Sequence, residues 1–208
     1  MSAINAVFFW FSGVIIQPLH TLLFHALQSR GNQTNLLMQS EYFTLCDALA
    51  TGALDAAAFC RRLAQICALD VDSATLEKEI LAAAEPNPGV NAEIDKLPRE
   101  YQRWLVVDLP AHWFEQLAGR IEVSSCFSPQ EIVFLPHAGL PRLVPEAFDY
   151  LARCARTSRG KCLLFHASTH HAIEALNYGM HAATFVDARH IEREFLLRRI
   201  TDKAYRVH

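Results

Sequence analysis

Five short apolar runs punctuate the chain: INAVFF at 4–9, WLVV at 104–107, IVFL at 132–135, CLLF at 162–165 and AATFV at 182–186. Runs of this length without polar alternation predict strands covered on both faces. Between and after them, apolar residues recur at helical spacing over roughly 111–119, 145–156, 169–178 and 190–199. Pro145, following Val144, suits the first position of a helix, and Gly179, after Tyr178, suits the residue beyond the end of one. Strands alternating with helices through short links predict an α/β fold, a Rossmann-like parallel sheet flanked by helices.

The interval between the first two runs, about 90 residues, breaks that rhythm. LHTLLFHALQSR, EYFTLCDALATG, DAAAFCRRLAQICAL and DSATLEKEILAAA each carry apolar residues at helical spacing. Asp55 and the Asp72-Ser73 pair are expected caps and Gly52 an expected stop. PNPG at 86–89 reads as a link back to the sheet. The expected division is a discontinuous α/β core, residues 1–17 and 89–208, with an inserted small helical-bundle cap at 18–88. Met38, Phe43, Phe59 and Leu63 are expected in the core of that bundle.

Composition narrows the function classes. The formal charge of −3 comes from scattered residues, so no electrostatic surface for nucleic acid is expected. The locally basic REFLLRRITDKAYR near the C-terminus reads as a solvated helix face. No apolar run reaches the ~18 residues that cross a bilayer, and no membrane partner is expected. The first residues carry neither a basic region nor an A-x-A-like cleavage site, which predicts no signal peptide. Six cysteines lie without C-x-x-C spacing, mostly in apolar surroundings, and read as buried thiols of a cytoplasmic protein.

The first run leads into VFFWFSGVIIQ at 7–17. A strand that ends in a tight glycine-containing turn usually delivers a polar group to a site at its C-terminal end. Here the positions facing that task hold Trp10 and Ser12.

Several stretches together resemble the haloacid dehalogenase (HAD) superfamily with a small helical cap. FFWFSGV is similar to that superfamily's apolar strand followed by D-x-D-G-V, and keeps Gly13 and Val14. FTLCDALATGALDAAAFCRRLA resembles its cap helices and the turn glycine between them. PNPGVNAEIDKL resembles the P-x-P-G-v return to the core, and LPRLVPEAFDYLARC the third-motif stretch K-P-D-P-x-x-F. CLLFHASTHHAIEALNYGMHAATFVD resembles the fourth motif, an apolar strand, an acidic pair and a following helix. The resemblance runs in order along nearly the whole chain.

The resemblance implies a site from which the chemistry has been removed. In active members the first aspartate attacks phosphorus or carbon, and Trp10 holds that position with no nucleophilic oxygen. The second aspartate is the general acid/base of the phosphatases, and Ser12 stands there. The second-motif Ser or Thr falls on Val107, or on Asp108 if the register slips by one. The third-motif lysine is replaced by Arg142, and the fourth-motif acidic pair by His166 and Ala167. Magnesium takes about six oxygen ligands with carboxylate charge, so no magnesium cofactor and no catalytic residue are expected. The reading is a catalytically degenerate, binding or regulatory protein. The alternative is a hydrolase of the superfamily with altered, magnesium-independent chemistry, and a third is a partner of an active paralogue.

What remains offers candidate ligand-binding residues: Ser12, Asp108, Arg142 and His166. With the start of the helix near Thr169, they imply phosphate or a small anion in the cleft between core and cap. The bland counterpart is an arginine paired with a surface carboxylate. Trp10 reads either as a plug of the former phosphate pocket or as ordinary core. His166 and His170, with Asp108, offer nitrogen and oxygen ligands to a transition metal, against a chance cluster among ten histidines. Ser12 as nucleophile with His166 as its base is a further enzymatic reading. A protein partner or a homodimer stays open.

Overall fold

The computed structural model describes residues 4–28, 40–140 and 144–200. Met38, Arg142 and the end of the basic C-terminal stretch lie outside them. In chain order come β1 (Ala6–Trp10), α1 (Leu19–Gln28), α2 (Ser40–Ala50), α3 (Ala56–Ile66), α4 (Ser73–Ala82), α5 (Val90–Asp95), β2 (Gln102–Val107) and α6 (Ala111–Ala118). The single turn α7 (Val123–Cys126) precedes β3 (Ile132–Phe134), and a second, α8 (Leu135–Ala138), follows it. The chain continues through α9 (Pro145–Cys154), β4 (Cys162–His166), α10 (Thr169–Asn177), β5 (His181–Thr184) and α11 (Ala188–Leu197).

The strands form one sheet, ordered β3-β2-β1-β4-β5, with every neighbouring pair parallel. Helices flank it, so the expected α/β, Rossmann-like architecture is the one observed. β1 and β4 are buried along their whole lengths, as their unbroken apolar runs require. Phe9 on β1 stacks on Phe165 of β4 with ring centroids 5.4 Å apart, joining the two central strands across one face.

Order 3-2-1-4-5 places a topological switch between β1 and β4. Parallel strands put all their C-terminal ends on one edge, and a crevice opens where the connections diverge. The residues just past those ends are Ser12, Asp108 and Ala167.

Between β1 and β2 come α1–α4, capped where the sequence expects. The Asp55 carboxylate accepts the Ala58 amide at 2.7 Å, and Asp72 accepts that of Thr75 at 2.9 Å. Phe59 and Leu63 are fully buried, as expected. Phe43 is not: it is 53% exposed, because the inner face of α2 is taken by Tyr42, Leu45 and Leu49 instead.

The chain's exit from the sheet and its return are held side by side. Gln17 donates to the Glu85 carbonyl at 3.2 Å, and the Asn87 amide to Ile15 at 2.8 Å. The Asn87 side chain donates its Nδ2 hydrogens across the carbonyls of Gly13, Val14 and Ile16, at 2.9–3.1 Å. Farther along, Arg120 donates to the carbonyls of Leu81, near the end of α4, and Ala84, just beyond it. Glu77 on α4 accepts from the indole of Trp113 at 2.7 Å and bonds the His112 ring at 2.8 Å, both from α6. The return side of α1–α4 is thus pinned to the sheet's helices by polar contacts.

Candidate functional site

The turn after β1 explains why glycine stands at 13. Its φ is +107°, and a Cβ there would lie 2.6 Å from that of Ala167. Only glycine adopts such a backbone without strain, and the close approach brings the ends of β1 and β4 together. Ser12, 9% exposed, accepts the Leu19 amide on Oγ at 2.9 Å and so closes the start of α1.

A cleft of about 890 Å³ opens over this edge. Its floor includes Ser12, Asp108, His166 and Ala167, and its opposite wall includes Tyr42, Phe43 and Asp47 of α2. Asp108 is 2% exposed and immediately follows β2, whereas Val107 is fully buried inside that strand. Of the two alternatives for that position, the one in the cleft is Asp108. The expected third-motif residue, Arg142, is outside the described residues.

Trp10 closes β1 and is 1% exposed. Its ring lies 4.7 Å, centroid to centroid, from that of His166. It does not line the cleft, and its indole N–H is buried without a hydrogen-bond partner. The indole therefore packs behind the wall and leaves the cleft open.

His166 pairs with His171 and not with His170, the residue offered beside it as a metal ligand. The two rings bond from His166 Nε2 to His171 Nδ1 at 2.7 Å, while His166 Nδ1 accepts the Ser168 amide at 2.9 Å. A strand-to-helix junction rotates His170 outward into solvent, so the i,i+4 rule of a continuous helix does not apply. The bonds also settle the tautomers. An amide can only donate, so His166 Nδ1 carries no proton and Nε2 does. Nε2–H then donates to His171 Nδ1, leaving the His171 proton on Nε2. With both ring nitrogens engaged, His166 has no acceptor to offer the Ser12 hydroxyl.

Ser168 begins α10 as expected, its Oγ accepting the His171 amide at 3.5 Å. Among the described residues, no three His, Cys, Asp or Glu side chains gather as metal ligands would. No described helix is long and apolar enough to cross a membrane. Cys60, Cys67, Cys126 and Cys162 are buried thiols and Cys46 and Cys154 half-buried, as the apolar surroundings predict. The sequence reading missed Phe43 and Asp47, because nothing in an apolar helix says which side will face a cleft formed by distant strand ends.

No protein-family profile and no curated protein matches the chain. Solved structures do. A HAD-family enzyme of Bacteroides thetaiotaomicron, in complex with magnesium and inorganic phosphate, is 12% identical with a TM-score of 0.70, covering 99% of this chain and 100% of that one. A predicted HAD-like hydrolase of Porphyromonas gingivalis is 13% identical with a TM-score of 0.70, covering 94% and 98%. L-2-haloacid dehalogenase of Xanthobacter autotrophicus, with chloropropionic acid covalently bound, is 13% identical with a TM-score of 0.68, covering 96% and 85%. At such identities the likeness speaks for architecture alone. The chain carries the haloacid dehalogenase-like fold.

Proposed function

We propose that the protein is a ligand-binding or regulatory member of this fold group that does not run the phosphatase or dehalogenase reaction. The observation that carries the reading is Trp10: at the end of β1, where the resemblance expects a nucleophilic carboxylate, a fully buried indole packs against His166. An indole offers no attacking oxygen, and its burial keeps it away from any substrate in the cleft.

The surrounding groups do not take over its task. Ser12 Oγ caps α1 and His166 has both nitrogens committed, so the pair lacks the nucleophile–base bond that activates a hydroxyl. The residues present do not fit magnesium either. At the ends of β1 and β4 stand an indole, a hydroxyl, an imidazole and a methyl group, where a hard cation wants several carboxylate oxygens. Asp108 and Asp47 do not make up that set, since no three such donors come together among the described residues. In-line phosphoryl transfer relies almost wholly on positioning and charge neutralisation, which these residues do not supply.

On this reading, residues 18–88 act as a cap and the cleft beneath it holds a ligand without turning it over. The test is steady-state assay with p-nitrophenyl phosphate and 2-chloropropionate, with and without magnesium. No turnover above the buffer rate is expected. Turnover abolished by Ser12→Ala or His166→Ala overturns the reading.

A further inference from the structure

We propose that the cleft takes a small organic cation, an amine or quaternary ammonium with an apolar body, in preference to phosphate. This rests on the reading that the cleft is a binding site, and it names the class of ligand.

The charge of the wall comes first. Its described carboxylates are Asp47 and Asp108, and no lysine or arginine is among the described lining residues. Asp108 is 2% exposed at the floor of the cleft. Burial lowers the His20 imidazole below its ordinary value, so it adds little positive charge near neutral pH.

Three of the donors nearest the cleft are already used by the protein itself. The first amide of α1 goes to Ser12 Oγ, the Ser168 amide to His166 Nδ1 and the His171 amide to Ser168 Oγ. An oxyanion that takes any of these three amides must break a bond the protein makes to itself. The imidazole of His166 sits where an anion would accept, which removes much of the helix-start attraction expected from sequence.

The apolar part of the wall completes the match. Phe43 lines the cleft yet is 53% exposed, and Asp47 follows it by four residues on α2. Four residues along a helix share one face, so an aromatic ring and a carboxylate flank the same stretch of wall. An ammonium group over such a ring gains from its quadrupole while the carboxylate neutralises it. A cleft of about 890 Å³ suits an organic body rather than a bare ion. A bare metal ion also lacks three gathered ligands among the described residues.

The full-length chain, at about pH 8 where ordinary imidazoles are neutral, is titrated calorimetrically with phenethylamine, choline and spermidine. Benzyl alcohol and inorganic phosphate are titrated beside them. Saturable binding of at least one amine is expected at about 10 mM or below, weakened roughly tenfold by Asp47→Asn and by Phe43→Ala. Both side chains are exposed, so these variants should keep the native melting temperature. Absence of amine binding, tighter binding of phosphate or benzyl alcohol, or affinity unchanged in both variants overturns the proposal. Binding of benzyl alcohol or phosphate alone would sink the cation but leave the binding reading standing. Phosphatase turnover in a protein that still binds amines would do the reverse.

Discussion

His166 and His171 form a one-way chain of hydrogen bonds: the Ser168 amide donates to His166 Nδ1 at 2.9 Å, and His166 Nε2 meets His171 Nδ1 at 2.7 Å. A backbone amide that cannot reverse its polarity sets both tautomers. The same chain denies His166 the open nitrogen that a general base requires, which links a local geometric fact to the non-catalytic reading.

The first prediction follows directly. Nitrogen-15 NMR of the histidine rings should show His166 and His171 both neutral with the proton on Nε2. A His166 signal with Nδ1 protonated would contradict the assignment. Replacing His171 by alanine removes a partner from the buried His166 ring and should cost about 1–3 kcal/mol.

Gly13 and Ala167 test the joint between β1 and β4. Gly13→Ala combines a φ of +107° with a Cβ contact of 2.6 Å to Ala167. Chemical unfolding should show a loss of about 2–4 kcal/mol, in the range of combined backbone strain and overpacking. Ala167→Gly in the same chain should recover the contact but not the strain, giving a coupling of about 1 kcal/mol. Purely additive losses would mean that the two residues do not abut.

The legibility of the molecule divides along physical lines. Five unbroken apolar runs show five strands because buried parallel strands need no polar face, and the predicted starts at Pro145, Ser168, Asp55 and Asp72 hold because caps are local chemistry. AATFV ends earlier than predicted, at Thr184, since the Phe185 amide turns back to the His166 carbonyl at 2.9 Å. α5 was read only as part of the return to the sheet, although left-handed Gly89 launches it. The site was half legible. Ser12, Asp108 and His166 follow from strand ends, but His171 in place of His170 depends on a junction angle. Phe43 was misjudged because helix α2 is apolar on more than one side, and only tertiary packing selects the buried one.

Glu77 should matter more for Trp113 than for His112. The indole is 1% exposed and donates to Glu77 at 2.7 Å, while His112 is half in solvent. Glu77→Ala leaves a buried donor unsatisfied and should destabilise by about 1–3 kcal/mol. His112→Ala should cost no more than about 1 kcal/mol, as an exposed pair does. Equal losses measured by urea unfolding would assign the contact's value to the ion pair instead.

Alkaline pH should weaken the fold through its buried thiols. Burial pushes Cys60 up to about 12, with the nearby Glu77 carboxylate adding to it, and burial alone pushes Cys67 and Cys162 up to about 11. Above pH 9, the ordinary thiol value here, the unfolded chain loses these protons while the folded chain keeps them. Stability is therefore complete below that pH and falls as pH rises toward the folded values. Each thiol contributes a slope of up to about 1.4 kcal/mol per pH unit. Urea unfolding across this range should show the decline, reduced in Cys162→Ala; a flat profile would contradict it.

The central claim, that the end of β1 no longer makes covalent bonds to substrate, is tested most directly by intact-protein mass spectrometry. The protein is incubated with acetyl phosphate and, separately, with 2-chloropropionate in the presence of magnesium, then quenched in acid. The account expects the unmodified mass in every sample. A phosphoryl adduct, or a 1-carboxyethyl adduct formed with loss of chloride, mapped to residues at the C-terminal ends of β1, β2 or β4 would contradict it.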